Sequence, residues 1–186
     1  MKKLSVVIGS TRPGRVGLPV GHWFFERAKS HGKFDVELVD LKERNLPLLD
    51  EPKHPRLRDY EHEHTKAWSA IVAASDAFVF VTPEYNYSAA PALLNALDYL
   101  FHEWAYKAAG FVSYGGVSGG MRAVQMIKQP LSVLKVVSIP EAVTIPFYSQ
   151  LMDSGVFRGS ELLEKSAVTM LDELERWTGA LSALRA

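Results

Sequence analysis

The chain has 186 residues, 47% of them hydrophobic and 23% charged, with 21 basic against 21 acidic side chains and no cysteine. That length suffices for one domain whose core needs no disulfide or metal, and the lack of cysteine excludes disulfides, Cys-ligated zinc, iron–sulfur clusters and thiol catalysis. Balanced charge argues against nucleic-acid binding, and with no run near the ~20 apolar residues of a membrane span and no leader-like segment, the expectation is a soluble cytoplasmic protein.

In chain order, residues 4–8 read as a short strand buried on both faces, stopped by Gly9. Residues 16–30 follow as a helix, with Val16, Val20, Phe24 and Ala28 recurring every fourth position. Residues 34–40 alternate apolar with acidic and predict a half-exposed strand toward a sheet edge. Residues 42–64, with Pro47, Pro52 and Pro55, read as a long surface loop. A helix over 64–75 leads to a second buried strand at 77–81. The next helix, 89–104, is expected to be capped by Ser88, to hold Pro91 in its first turn and to carry the stripe Leu93, Leu97, Leu100 and Trp104. A third core strand at 109–114, a helix at 119–133 and a last short strand at 141–146 follow. The terminal helix, 160–184, places Leu163, Ala167, Met170, Leu174, Trp177, Leu181 and Leu184 on one face, predicted to pack on the sheet.

Strands that alternate with helices and are apolar on both faces predict an α/β fold: a flavodoxin-like three-layer sandwich, with a five-stranded parallel sheet and helices on both faces, in one domain over 1–186. Ligands of such sheets bind beyond the carboxyl ends of the strands. Three loops follow three predicted strands, at 9–17, 82–88 and 114–120, and they should converge there.

The first loop, Gly9-Ser10-Thr11-Arg12-Pro13-Gly14-Arg15-Val16, fits neither familiar nucleotide fingerprint. Gly9 is followed by Ser10 and Thr11 rather than the spacing of a dinucleotide turn, and Gly14 is followed by Arg15 and Val16 rather than Lys-Ser/Thr. Two hydroxyls and two arginines ahead of a helix N-terminus suit a phosphate dianion; an ordinary surface turn accounts for the composition equally well. The second loop, Pro83-Glu84-Tyr85-Asn86-Tyr87-Ser88, offers an amide, a carboxylate and two phenols that can flank a planar, hydrogen-bonding ring. The third, Ser113-Tyr114-Gly115-Gly116 with Ser118-Gly119-Gly120, lets main chain approach a ligand closely.

These three segments, with Pro91 and Leu94-Asn95-Ala96-Leu97-Asp98, resemble the NADPH-dependent FMN reductase family, which includes flavodoxin-like quinone reductases and azoreductases. The likeness spans residues 4 to 147. It implies a cytoplasmic oxidoreductase that passes hydride from NADPH through bound FMN to a quinone, azo compound, free flavin or similar acceptor. It implies that Ser10, Thr11 and Arg12, with neighbours up to Arg15 and Val16, hold the FMN phosphate. Pro83, Glu84, Tyr85 and Asn86 would line the ring and ribityl chain, and Ser113, Tyr114, Gly115 and Gly116 would close the other edge. Members commonly carry a further hydroxyl near position 15, 16 or 17; this chain has Arg15, Val16 and Gly17, and Arg15 is the residue available to compensate. The resemblance also implies a homodimer or homotetramer, with the helix after the second loop at the interface.

Main-chain N–H groups near Gly115 and Gly116 are placed to stabilise charge on a reduced ring, and no side chain is assigned as acid, base or metal ligand. Arg12 or Arg15 could instead meet the extra phosphate of NADPH. Two rivals are a flavodoxin-type carrier of single electrons, disfavoured by a neutral surface, and a non-redox flavin-binding module using the 42–64 loop. The run Glu61-His62-Glu63-His64 invites a metal reading, but residues two apart do not share a helix face, and a solvated structural role is expected. Trp104 is read as core packing rather than as the wall of a ring pocket.

Overall fold

A computed structural model describes residues 1–185. Five parallel strands form one sheet in the order β2-β1-β3-β4-β5: β1 (Lys2–Ile8), β2 (Phe34–Asp40), β3 (Ala77–Pro83), β4 (Ala108–Tyr114) and β5 (Val137–Ile145). Helices α1 (Gly17–His31) and α6 (Glu161–Ser182) cover one face; α3 (Glu63–Ala74), α4 (Pro91–Asp98) and α5 (Met121–Val133) cover the other. This is the predicted flavodoxin-like sandwich. The pleat explains the continuous apolar runs. Along β3, Ala77, Val79 and Val81 enter the α1/α6 core, while Phe78 and Phe80 enter the opposite one.

Several boundaries differ from expectation for identifiable reasons. The last strand begins at Val137 rather than 141, because its register against β4 shifts around Pro140, which an edge strand tolerates at an irregularity. The helix expected over 89–104 ends at Asp98, and a separate 3-10 turn spans His102–Trp104. No glycine stops it; Trp68 donates from its indole to the Ala96 carbonyl at 2.8 Å, and the Leu97 carbonyl accepts both the Trp104 indole at 3.2 Å and the Leu100 N–H at 3.4 Å. Trp104 is fully buried against Phe78 and Trp68, which is plain packing. Ser88 is not the cap of α4; Ala90 holds that position, and Ser88 pairs instead with Tyr85.

The long segment before α3 is more ordered than its prolines suggest. It contains the short helix α2 (Leu41–Arg44) and a 3-10 turn at Pro55–Leu57. Asn95 clasps it, donating to the Pro47 carbonyl at 2.6 Å and accepting from the Leu49 N–H at 2.9 Å. His62 is the extended cap residue of α3, so the helix-face spacing does not govern it. Its ring stacks on His64, and His64 meets the Asp50 carboxylate at 2.9 Å. On α6 the stripe is buried except Trp177, which is 39% exposed, and Leu184 beyond the helix is exposed as well. A small hairpin of β6 (Met152–Asp153) and β7 (Val156–Phe157) was not anticipated. Among the described residues, no helix is long and apolar enough to cross a membrane.

Candidate active site

The loops after β1, β3 and β4 meet at the carboxyl edge of the sheet around a cavity of about 420 Å³. Its lining comprises Arg12, Arg15, Val16, Pro83, Glu84, Tyr85, Tyr114, Gly115 and Gly116 from the predicted set, joined by Pro13, Gly14 and Tyr148. That volume lies within the range of small-molecule sites.

The first loop owes its shape to Pro13 and Gly14. The Arg15 N–H donates to the Arg12 carbonyl at 3.2 Å, and Gly14 has φ 68°, the proline–glycine arrangement of a type II turn. Helix α1 then starts at Gly17 with no side-chain cap and no acidic residue in its first turn. The Gly17 and Leu18 N–H groups therefore face forward without an intrahelical acceptor, as an anion requires.

Arg15 and Arg12 differ sharply. Arg15 forms a two-pronged ion pair with Asp40, its side chain 8% exposed and that of Asp40 7%, and also donates to the Ser10 carbonyl at 2.7 Å. Burial alone would raise the Asp40 carboxyl, but the Arg15 guanidinium and the Lys42 N–H outweigh it and hold the carboxyl below its ordinary range. Arg15 is thus a strut with its charge already matched, whereas Arg12 stands exposed at the cavity.

Ser10 is fully buried, its hydroxyl 2.8 Å from that of Tyr85. Burial, reinforced by Tyr85, pushes the Tyr114 phenol well above its usual range. Thr11 lies on the far side of the loop in a separate depression with Leu41, Lys42 and Asn45. Ser113 is buried beneath the third loop, and Asn86 sits exposed in a turn outside the lining. Four of the predicted residues, Ser10, Thr11, Asn86 and Ser113, therefore stand outside the lining, and Ser10 reaches it through the Tyr85 hydroxyl.

The other walls are main chain. Pro83, Glu84 and Tyr85 run opposite Tyr114, Gly115 and Gly116, and the Glu84 N–H donates to the Tyr114 carbonyl at 3.2 Å. Gly120 caps α5 with φ 86°, and a Cβ there would lie 2.8 Å from the Ser113 Cβ and the Tyr114 nitrogen, so only glycine lets this loop fold onto the end of β4. The Gly115 N–H donates to the Ile145 carbonyl at 3.2 Å, which removes it from the expected charge-stabilising pair. Tyr148, edge-on to Tyr114 at 5.6 Å, was missed because a 3-10 turn beyond β5 brings it back. Asp40 was missed too; an acid ending an edge strand is the only trace of it in sequence.

A helix N-terminus beside a slot walled by main chain and phenols defines a doubly wound α/β protein with its cleft at the carboxyl edge of the sheet, where such folds take their ligands. Residues 2–150 match the family model of NADPH-dependent FMN reductases, and the chain belongs to that family. It is 43% identical over 148 residues to an NAD(P)H-dependent FMN reductase of Schizosaccharomyces pombe, covering 77% of this chain and 74% of that one. It is 40% identical over 136 residues to an NAD(P)H:quinone oxidoreductase of Solanum tuberosum, covering 68% and 66% respectively. The fold is shared with the flavoenzyme NAD(P)H:(acceptor) oxidoreductase FerB of Paracoccus denitrificans, with a TM-score of 0.75, 23% identity and 97% and 98% of the two chains covered.

Proposed function

We propose that the cavity holds FMN and that the protein carries two electrons from NADPH to a quinone, an azo compound, free flavin or a similar small acceptor. The observation that carries this reading is the convergence of an uncapped, acid-free helix N-terminus with two main-chain walls at one edge of the sheet. The FMN phosphate would rest on the Gly17 and Leu18 N–H groups with Arg12 as counter-charge, while the buried Arg15–Asp40 pair fixes the loop. The ring would lie between residues 83–86 and 113–116, with Tyr85, Tyr114 and Tyr148 shaping the slot.

Bound FMN supplies the hydride chemistry, accepting two electrons from the nicotinamide and passing them on. The chain's contribution is orientation and charge. With the Gly115 N–H engaged, the Gly116 N–H is the donor left to stabilise negative charge on the ring. Glu84 is fully occupied by hydrogen bonds, which suits a structural part rather than proton transfer.

The whole chain is read as one flavin-binding unit working in the cytoplasm, where NADPH is available, as a homodimer or homotetramer. A groove of about 510 Å³ lined by Leu49, Phe101 and Val133 beside α4 supports a second copy there; the stripe Leu93, Leu97, Leu100 and Trp104 is spent on the chain's own core. The test is anaerobic mixing of the FMN-loaded protein with NADPH. Rapid bleaching of the flavin band, and its return on adding a quinone, is expected; a flavin that NADPH leaves oxidised would favour the electron-carrier reading and overturn this one.

A further inference from the structure

Glu84 opens the second loop with its side chain only 7% exposed. Its Oε1 accepts from Arg122 Nε at 2.6 Å and Nη2 at 2.5 Å. Its Oε2 accepts from Ser118 Oγ at 2.8 Å and from the Arg122 main-chain N–H at 3.2 Å. Burial would raise this carboxyl, yet Arg122 and Ser118 together hold it below its ordinary range. The same guanidinium lies 4.0 Å from the centroid of the Tyr87 ring. One arginine, standing outside the cavity lining, thus grips the second loop at two points and belongs to the helix that follows the third.

What it grips is strained. Asn86 and Tyr87 have φ 51° and 68°, and Tyr85 and Ser88 exchange both main-chain hydrogen bonds at 2.9 Å. That is a mirror-image two-residue turn, which favours Asn-Gly because a Cβ at the second position opposes it. A tyrosine persists there only if its surroundings hold it. Arg122 is itself out of place by local rules, since a cation in the first turn of α5 faces the positive end of the helix dipole. Both irregularities resolve if each exists for the other.

We infer that Arg122 is a positioning residue of the reductase. Through Tyr87 it keeps the second loop in its mirror-image turn, and through Glu84 it ties that loop to the third. The two main-chain walls of the cleft then face the flavin ring at a fixed spacing. The inference rests on the FMN reading above. An ion pair serving stability alone would leave flavin affinity unchanged once the chain had folded.

The test is titration of the flavin-free full-length protein with FMN, followed by flavin fluorescence, for wild type, Arg122→Ala, Arg122→Lys, Tyr87→Gly and the Arg122→Ala/Tyr87→Gly pair. Chymotrypsin cleavage is followed in the same flavin-free samples, after Tyr85 and Tyr87 where Tyr87 is kept and after Tyr85 alone in the two Tyr87→Gly variants. Arg122→Ala should weaken FMN about tenfold or more and expose these bonds to the protease. Arg122→Lys, which lacks the fork, should lie between it and wild type. Tyr87→Gly gives the turn an Asn-Gly pair that adopts the conformation unaided, so it should stay within about threefold of wild type. In that background Arg122→Ala should cost at least roughly threefold less than it does alone. Should Arg122→Ala not fold, the lysine variant and its pair with Tyr87→Gly carry the same comparison. Arginine variants within about twofold of wild type, or a loss undiminished by Tyr87→Gly, would overturn the inference while leaving the FMN reading intact. A wild-type protein that takes up no FMN would overturn both.

Discussion

The buried Arg15–Asp40 pair yields the sharpest stability prediction. Replacing Arg15 with methionine leaves Asp40, 7% exposed, with only the Lys42 N–H at 3.0 Å as a donor. An uncompensated buried charge of this kind costs about 3–5 kcal/mol. For a chain of this length that is a fall in Tm of roughly 6–20 °C. The double variant Arg15→Met/Asp40→Asn removes both charges and keeps an acceptor for the Lys42 N–H, so it should cost about 1–2 kcal/mol, far less than the two single changes added. The pH dependence has a definite sign. Asp40 titrates lower in the folded chain than in the unfolded one, so its stabilisation is complete above the unfolded value near 3.9 and is lost as pH falls through the folded value. The gap between wild type and Arg15→Met should accordingly shrink from pH 6 down to about pH 3. Urea denaturation at both pH values measures it. A cost below about 1 kcal/mol at neutral pH, or a double variant as unstable as the sum of the singles, would refute the strut.

Three further outcomes follow from the same geometry. Gly17→Ala would bring a Cβ to 2.7 Å from the Tyr114 hydroxyl, so the variant should lose about 1–3 kcal/mol in denaturant melts; an unchanged midpoint would mean that the packing there is loose. Lys107, buried at the end of α3 and donating to the Val72 and Ala73 carbonyls, titrates at about 8, lowered by burial and then by Arg185. The unfolded chain therefore binds the extra proton between pH 8 and about 10.4, and wild type should gain stability relative to Lys107→Met as pH rises through that window; a flat difference contradicts it. Trp104→Ala, emptying the cluster with Trp68 and Phe78, should cost about 3–5 kcal/mol without changing the affinity of the folded protein for FMN, read by chemical melts and flavin titration.

The parts legible in the sequence were those set by local pattern. Val6 and Val7, or Phe78 and Val79, are apolar neighbours because one packs on each face of the sheet, and such runs announce central parallel strands. The three loops were found because each directly follows such a strand. Longer-range terms stayed hidden. Pro140 masked the first half of β5, and the indoles of Trp68 and Trp104 ended α4 where its periodicity continued. The pairing of Arg15 with Asp40 stayed hidden because Asp40 reaches it from the neighbouring strand, 25 residues away in sequence. Arg122 passed unnoticed although a cation in a helix's first turn already calls for a counter-ion.

The account turns on a phosphate held at the start of α1 with the attached ring in the slot beside it. Titrating the flavin-free protein in parallel with FMN and with riboflavin tests this most directly, because the two ligands differ only in the phosphate. One FMN per chain should bind, with riboflavin at least about tenfold weaker, since even one charge-assisted hydrogen bond contributes about 1.5 kcal/mol. Equal affinity for the two, or no uptake of either, would contradict it.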